Sequence, residues 1–270
     1  LGVLQKDKFG NRQFASESFD DTALKSDPSL KLSYIAAPPR MKLYEEISTK
    51  IFSIYTRYVS SEDVHVYSID ECFIDVTGYL RTYHMTAHEL AMTMIREVLY
   101  ETGITATAGI GTNMYLAKIA LDITAKHAQD RIGWLTEEKF IKELWHHTPI
   151  TDFWGISKGI SSHLAKLGIN DMAGIANYNE DLLYKHFGVN AELLIDHAWG
   201  REPCLMSDIK NYKSKSHSFS NSQLLPREYT YNEAMDILKT FEIFLSAPLS
   251  IIQKRDIKIV HVETNIFNQK

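Results

Sequence analysis

The chain changes rhythm near residue 136, and that change constrains its fold more than any other feature. Before it, long amphipathic stretches alternate with short runs of β-forming residues. After it come short apolar stretches at 136–145, 157–167, 171–177, 179–186 and 190–198, punctuated by Gly155, Gly168, Gly188 and Gly200. The first pattern requires helices packed on a sheet, and the second requires a small all-helical unit. After residue 216 a third pattern is expected: a strand over Ser216–Leu225, a helix over Tyr231–Phe244 ended by Pro248, and a strand over Ile257–Thr264.

Within the first region, Pro38 and Pro39 open a helix of about 40–57 with an apolar face of Leu43, Ile47, Ile51 and Ile54. Val64–Ile69 and Cys72–Val76 have hairpin spacing, with only Asp70 and Glu71 between them. Thr86 and Glu89 form a capping box for a helix of 86–102, whose stripe is Leu90, Met94, Ile95, Val98 and Leu99, and Gly103 closes it. Ile104–Ile110 reads as a strand, and Gly111, Thr112 and Asn113 turn into a helix of 113–127. Residues 1–32 read as loop, with no period. The order helix, strand, strand, helix, strand, helix matches a split βαβ (ferredoxin-like) sheet without its opening strand. The fold class expected is α/β (α+β).

With 44% hydrophobic and 23% charged residues, the 270-residue chain has apolar mass for two or three cores. No apolar run approaches the roughly 18 residues of a membrane helix, and Leu1 onward lacks a signal-peptide pattern. Cys72 and Cys204 lack metal-type spacing and point to a reducing compartment, with the cytoplasm as the expected location. A net charge of −5 is unusual for a nucleic-acid binder, although Lys210, Lys213, Lys215 and His217 make a local basic strip.

In a straight strand Asp70 and Glu71 would face opposite ways. At a hairpin tip the alternation breaks, and both carboxylates can lean toward one cation, with Mg²⁺ the natural choice for carboxylate and water oxygens. The alternative is a solvated acidic turn. At 108–122 a Gly-containing turn presents a helix start that could meet phosphate, or simply a cap by Thr112 or Asn113. Lys118 is then a phosphate contact or a surface lysine, and Asp122 is expected to pack locally or cap. Around Gly155 the choice lies between a phosphate-binding hairpin and an αα-corner. His84 and His88, with a helix cap between them, are not expected to form a zinc site; His146 and His147 lack acid partners nearby in sequence. Trp134, Trp145, Trp154 and Trp199 read as core.

The run Tyr67-Ser-Ile-Asp-Glu-Cys-Phe-Ile-Asp-Val-Thr77 resembles the palm motif of Y-family (translesion, error-prone) DNA polymerases of the bacterial UV-damage-repair and SOS mutagenesis type. Ala108-Gly-Ile-Gly-Thr-Asn followed by Ala117-Lys-Ile-Ala120 resembles the same family's triphosphate-facing segment. Phe153-Trp-Gly-Ile-Ser-Lys-Gly-Ile160 with Leu164–Ile169 resembles its helix–hairpin–helix thumb, with Ser157 in place of the usual second glycine. Lys213–His217 and Asn221–Pro226 resemble the start of its little finger.

The resemblance implies a ferredoxin-like palm at 1–149, a thumb at 150–207, a basic linker at 208–216 and a partial α/β little finger at 217–270. It implies Asp70 and Glu71 as catalytic metal ligands for Mg²⁺, with Asp75 structural and Lys118 on the incoming triphosphate. Gly155, Ile156, Ser157, Lys158, Lys213 and Lys215 are the implied DNA contacts. The implied activity is template-directed DNA polymerisation past lesions; the partners are primer–template DNA, deoxynucleoside triphosphates and, as a candidate, the replication sliding clamp. The family also opens with a strand bearing a third metal carboxylate and a ribonucleotide gate, followed by fingers. Residues 1–34 show no such pattern, and Asp20 and Asp21 are not assigned to it, so a fragment or a shortened, non-catalytic DNA-binding homologue is the competing expectation. A nucleotidyl cyclase would share the palm but has no use for the thumb.

Overall fold

The computed structural model describes residues 14–214, 229–237 and 239, with the backbone of two short strands before them. The chain divides into two compact units, 1–203 and 204–270. The expected strands at 216–225 and 257–264, and the helix beyond residue 239, lie outside the described residues.

The N-terminal part corrects the expectation of a loop. Strands β1 (Gln5–Lys6) and β2 (Arg12–Gln13) pair antiparallel. Strand β3 (Ser16–Ser18), helix α1 (Asp21–Ser26) and strand β4 (Leu30–Leu32) form a miniature β–α–β with β3 and β4 parallel. Asp20 caps α1 by accepting from the Ala23 N–H at 2.7 Å, and Asp21 pairs with Lys25 at 2.6 Å. No residue of α1 is buried, so local capping and pairing hold this unit rather than a core. That is why hydrophobic periodicity misses it.

Helix α2 (Met41–Tyr55) leads through a short 3₁₀ turn into the hairpin β5 (Val64–Val66) and β6 (Cys72–Ile74), paired Val64 to Ile74 and Val66 to Cys72. The short helix α3 (Leu80–Tyr83) precedes α4 (Ala87–Thr102), which has the expected capping box and ends on Gly103 at φ 72°. Leu90, Met94 and Val98, four apart, are the buried stripe of α4. Val59, Val64, Leu90 and Met94 form one core, sealed by Phe52, Tyr55, Cys72 and Ile74. Arg57 ties α2 to α4 through Glu97 and Glu101.

Strand β7 (Ala108–Gly111) is shorter than expected, and α5 (Met114–Ile119) continues as a π turn at Ala120–Thr124 and a 3₁₀ turn at Ala125–His127. Strand β8 (Ile132–Leu135), unforeseen in the sequence, pairs parallel with β7. The single sheet expected is not seen: among the described residues β5–β6 and β7–β8 are separate two-stranded pairs. In a split βαβ arrangement the opening strand lies between the hairpin and the last strand, and no described segment occupies that position.

The helices that follow are α6 (Glu137–Leu144), α7 (Lys158–Lys166), α8 (Met172–Ala176), α9 (Glu180–Phe187) and α10 (Asn190–Ala198), close to the spans expected. A second core joins them to α5: Tyr115, Leu116, Ile119, Phe140, Phe153, Leu164, Leu183 and Ala198 belong to it. It therefore runs across residue 149. In the second unit, α11 (Met206–Asn211) and a helical stretch at 231–237 are described.

Candidate active site

The two acids lie in a five-residue loop between β5 and β6. The N–H groups of Tyr67 and Ser68 both donate to the Glu71 carbonyl at 3.0 Å, which closes the loop and breaks the strand alternation. Ser68 Oγ donates to Asp70 Oδ1 at 2.7 Å, and Asp70 is exposed. The apolar footing is thinner than the sequence suggests: Val66 and Ile69 are exposed, and Val64 alone of the flanking residues is fully buried. Asp75 accepts from the Thr77 N–H at 3.0 Å and so serves the chain turn after β6. The Cys72 thiol is pushed up to about 11 by burial, which leaves it protonated and inert at neutral pH.

Lys118 comes to this loop from α5. Asn113 caps the helix by accepting from the Leu116 N–H at 2.8 Å, as the plainer of the two sequence readings holds, and its Nδ2 donates to the Gly200 carbonyl at 2.8 Å. One turn on, Lys118 Nζ donates to Glu71 Oε1 at 2.8 Å and to Asp122 Oδ1 at 3.0 Å. Only 8% of Lys118 is exposed. Burial opposes its charge, but hydrogen bonds and Coulomb attraction from Glu71 and Asp122 outweigh it, and its pKa is raised above the ordinary lysine value. Lys118 is therefore a buried ammonium with two carboxylate partners. Asp122, expected only to pack or cap, is one of them; its i, i+4 spacing from Lys118 was the available signal.

A second missed contact joins the loop to the helical region. Trp154 Nε1 donates to the Tyr67 hydroxyl at 3.1 Å, and the Trp154 ring meets Tyr67 edge-on and lies tilted against Phe73. Trp154 is half-buried, packs against the core of the helical region and also bridges to the loop. Trp134 is misread as core: it is 50% exposed beneath the Lys139 ammonium. Trp145 and Trp199 are half-buried and pack on each other.

After Trp154 the chain turns at Gly155, φ 89°, and Ser157 caps α7 by accepting from the Ile160 N–H at 3.3 Å. Gly155, Ser157 and Lys158 are exposed, whereas Ile156 is 6% exposed and anchors the turn in the core. A depression of about 400 Å³ is lined by Asp122 and by the turn from Thr151 to Ser157. In the second unit Lys213 is exposed, and Lys215 lies outside the described residues.

Three of the four histidines weighed in the sequence are paired with acids. His88 Nε2 lies 2.7 Å from Asp130, while His84 ends α3 on a separate element. His146 and His147, expected to lack acid partners, meet Asp171 and Asp152 at 2.8 Å each. Among the described residues no three His, Cys, Asp or Glu side chains gather as a metal site. The donor chemistry at Asp70 and Glu71 still fits Mg²⁺, which is commonly held by one or two carboxylates plus substrate phosphates and water. No helix of the described residues is long and apolar enough to cross a membrane.

A family model described as the impB/mucB/samB family matches residues 21–122. Over 196 residues the chain is 34% identical to UvrX of Bacillus subtilis (strain 168), a UV-damage repair protein by name, covering 72% of this chain and 45% of that one. Over 195 residues it is 34% identical to DNA polymerase IV 2 of the same organism, again covering 72% and 45%. A solved insertion ternary complex of Dbh DNA polymerase is similar at a TM-score of 0.53 and 27% identity, over 67% of this chain and 51% of that one. The chain spans about half the length of the curated relatives it matches. By sequence and by its mixed helix-and-strand fold, the chain is similar to the Y-family DNA polymerases.

Proposed function

We propose that the loop at Asp70–Glu71, faced by Lys118, is the nucleotidyl-transfer site of a template-directed translesion DNA polymerase. One observation carries this reading: Lys118 Nζ and Glu71 Oε1 are 2.8 Å apart across 47 residues of sequence, in a chain whose relatives include DNA polymerases by name. Asp70 and Glu71 would hold divalent metal. When bound, such ions lower the pKa of a primer 3′-hydroxyl and stabilise the leaving pyrophosphate. Lys118, in the last turn of α5, supplies a fixed positive charge for the triphosphate. Phosphoryl transfer asks the protein mainly for positioning and charge neutralisation, and these residues are suited to both.

On the same reading, 1–149 is the palm, 150–207 the thumb, 208–216 a linker and 217–270 the little finger. The exposed Gly155, Ser157 and Lys158 contact a DNA phosphate without reading sequence, as a capped helix start does. Ile156, buried, contributes by holding the turn. Lys213 and Lys215 add phosphate contacts in the second unit. The substrates are primer–template DNA and deoxynucleoside triphosphates, with Mg²⁺ as cofactor.

Primer extension over an intact and an abasic template, with Mg²⁺ and all four deoxynucleoside triphosphates, tests the reading. Extension is expected, with a loss of at least about 100-fold in Asp70→Ala and Glu71→Ala. Retained primer–template binding without extension would replace it with a DNA-binding role.

A further inference from the structure

The ion pair between Lys118 and Glu71 sets two cations in competition for one carboxylate. A metal ion approaching Glu71 Oε1 meets an ammonium already 2.8 Å from that oxygen. Lys118 cannot easily escape to solvent, being 8% exposed, and it is held between two carboxylates at 2.8 and 3.0 Å. Those partners differ in kind. Glu71 sits on the β5–β6 loop, a separate element. Asp122 is four residues along the same helical segment, so its bond at 3.0 Å moves with Lys118 whatever the loop does. An ammonium has three N–H donors. Glu71 and Asp122 use two, leaving a third for another acceptor.

We propose that Lys118 is the resident counter-ion of the acidic loop, and that Asp122 is the positioning residue that retains Lys118 when Glu71 is given up. Without nucleotide, Lys118 guards Glu71 against free divalent metal. A nucleoside triphosphate, carrying more negative charge than one carboxylate, draws Lys118 off Glu71 while Asp122 keeps the ammonium in place. Metal therefore binds well only together with the triphosphate. Asp122 also lines the depression beside the Gly155 turn. The inference rests on the reading of Asp70–Glu71 as a metal site.

The test needs no turnover. Mn²⁺ is titrated into the full chain without nucleotide or DNA, and free Mn²⁺ is followed by electron paramagnetic resonance. The site of interest is the binding component that Glu71→Gln removes. Lys118→Met is expected to tighten that component at least about 10-fold, with Lys118→Gln as the second variant should the first fold poorly. Asp122→Asn leaves Glu71 as the one charged partner of Lys118, so Mn²⁺ is expected to bind several-fold more weakly; this effect should vanish in the Lys118→Met background, where simple loss of a nearby negative charge would persist. Added dTTP is expected to tighten Mn²⁺ binding in the wild type and to do little in Lys118→Met. Equal Mn²⁺ affinity in wild type and both Lys118 variants overturns the guard while leaving the metal site standing. Tighter binding in Asp122→Asn overturns the positioning role. If Glu71→Gln removes no component from any variant, the metal-site reading falls and the guard falls with it.

Discussion

Gly109→Ala is expected to destabilise the fold sharply and to disturb the site at a distance. A Cβ at Gly109 would lie 2.1 Å from the Ala117 carbonyl oxygen, 2.3 Å from the Leu121 nitrogen and 2.8 Å from Leu121 Cβ. The two closest atoms are backbone and cannot rotate away. Ordinary contact begins near 3.4 Å, so the segment from Ala117 to Leu121 would have to retreat by about 1.3 Å. That segment buries Ile119 and Ala120 completely and carries Lys118. Overpacking costs about 1–3 kcal/mol, occasionally more, and rigid backbone places this case near 3 kcal/mol. At an m-value of about 2–3 kcal/mol per M, the urea midpoint should fall by about 1–1.5 M. Gly78→Ala is the control: its Cβ meets nothing within 4 Å, and its midpoint should stay close to that of the wild type. Urea unfolding followed by circular dichroism measures both. A loss below about 1 kcal/mol in Gly109→Ala, or an equal loss in Gly78→Ala, would refute the claim that β7 and α5 must touch backbone to backbone.

Two further outcomes follow from other contacts. Trp154→Phe keeps an aromatic ring, though a smaller one, and loses the N–H that reaches Tyr67, and Tyr67→Phe loses the acceptor. Each should cost about 0.5–1.5 kcal/mol, and the double variant no more than either alone; additive losses in thermal unfolding would show that the bond contributes nothing. His197 is 6% exposed, stacks on Tyr115 and pairs with Glu202 at 3.0 Å. Burial, only partly offset by Glu202 and Asp196, depresses its pKa. The unfolded chain then takes up a proton near the ordinary histidine value while the folded chain does not. Stability attributable to His197 is complete above that value and is lost as pH falls from it toward the folded pKa. Melting temperature between pH 7.5 and 5.5 should therefore drop more in the wild type than in His197→Asn, and parallel profiles would count against it.

What the sequence made legible divides along physical lines. Helix α4 is readable because its signals are local: Thr86 and Glu89 start it, Leu90, Met94 and Val98 stripe it, and Gly103 stops it. The β5–β6 hairpin is readable for the same reason, and its acids are identified by resemblance to a known motif. Strand β8 is not readable. Ile132-Gly-Trp-Leu135 is four residues long, and its Gly133 is required by a tertiary contact, since a Cβ there would meet the Ala120 carbonyl oxygen at 2.4 Å. The β3–α1–β4 unit escapes because nothing in α1 is buried and hydrophobic periodicity has nothing to report. Trp134 is misread because an apolar neighbourhood in sequence does not fix which face a tryptophan takes. Asp122 is the instructive case. Its spacing from Lys118 is visible in the sequence, but spacing alone cannot show that the same lysine reaches Glu71.

That lysine depends on two cores at once. The hairpin bearing Glu71 stands on Val64, Leu90 and Met94, while α5 stands on Leu116, Ile119, Phe140 and the helices beyond. No hydrogen-bonded sheet joins them among the described residues. Described contacts that cross between them at the acidic loop are the Lys118–Glu71 ion pair and the Trp154–Tyr67 bond. A displacement of about 1 Å in either core would reach both contacts, since hydrogen bonds weaken steeply beyond about 3.2 Å. The site is therefore a seam between two packed cores, and polar and aromatic contacts across it set the distance between the acids and their counter-ion.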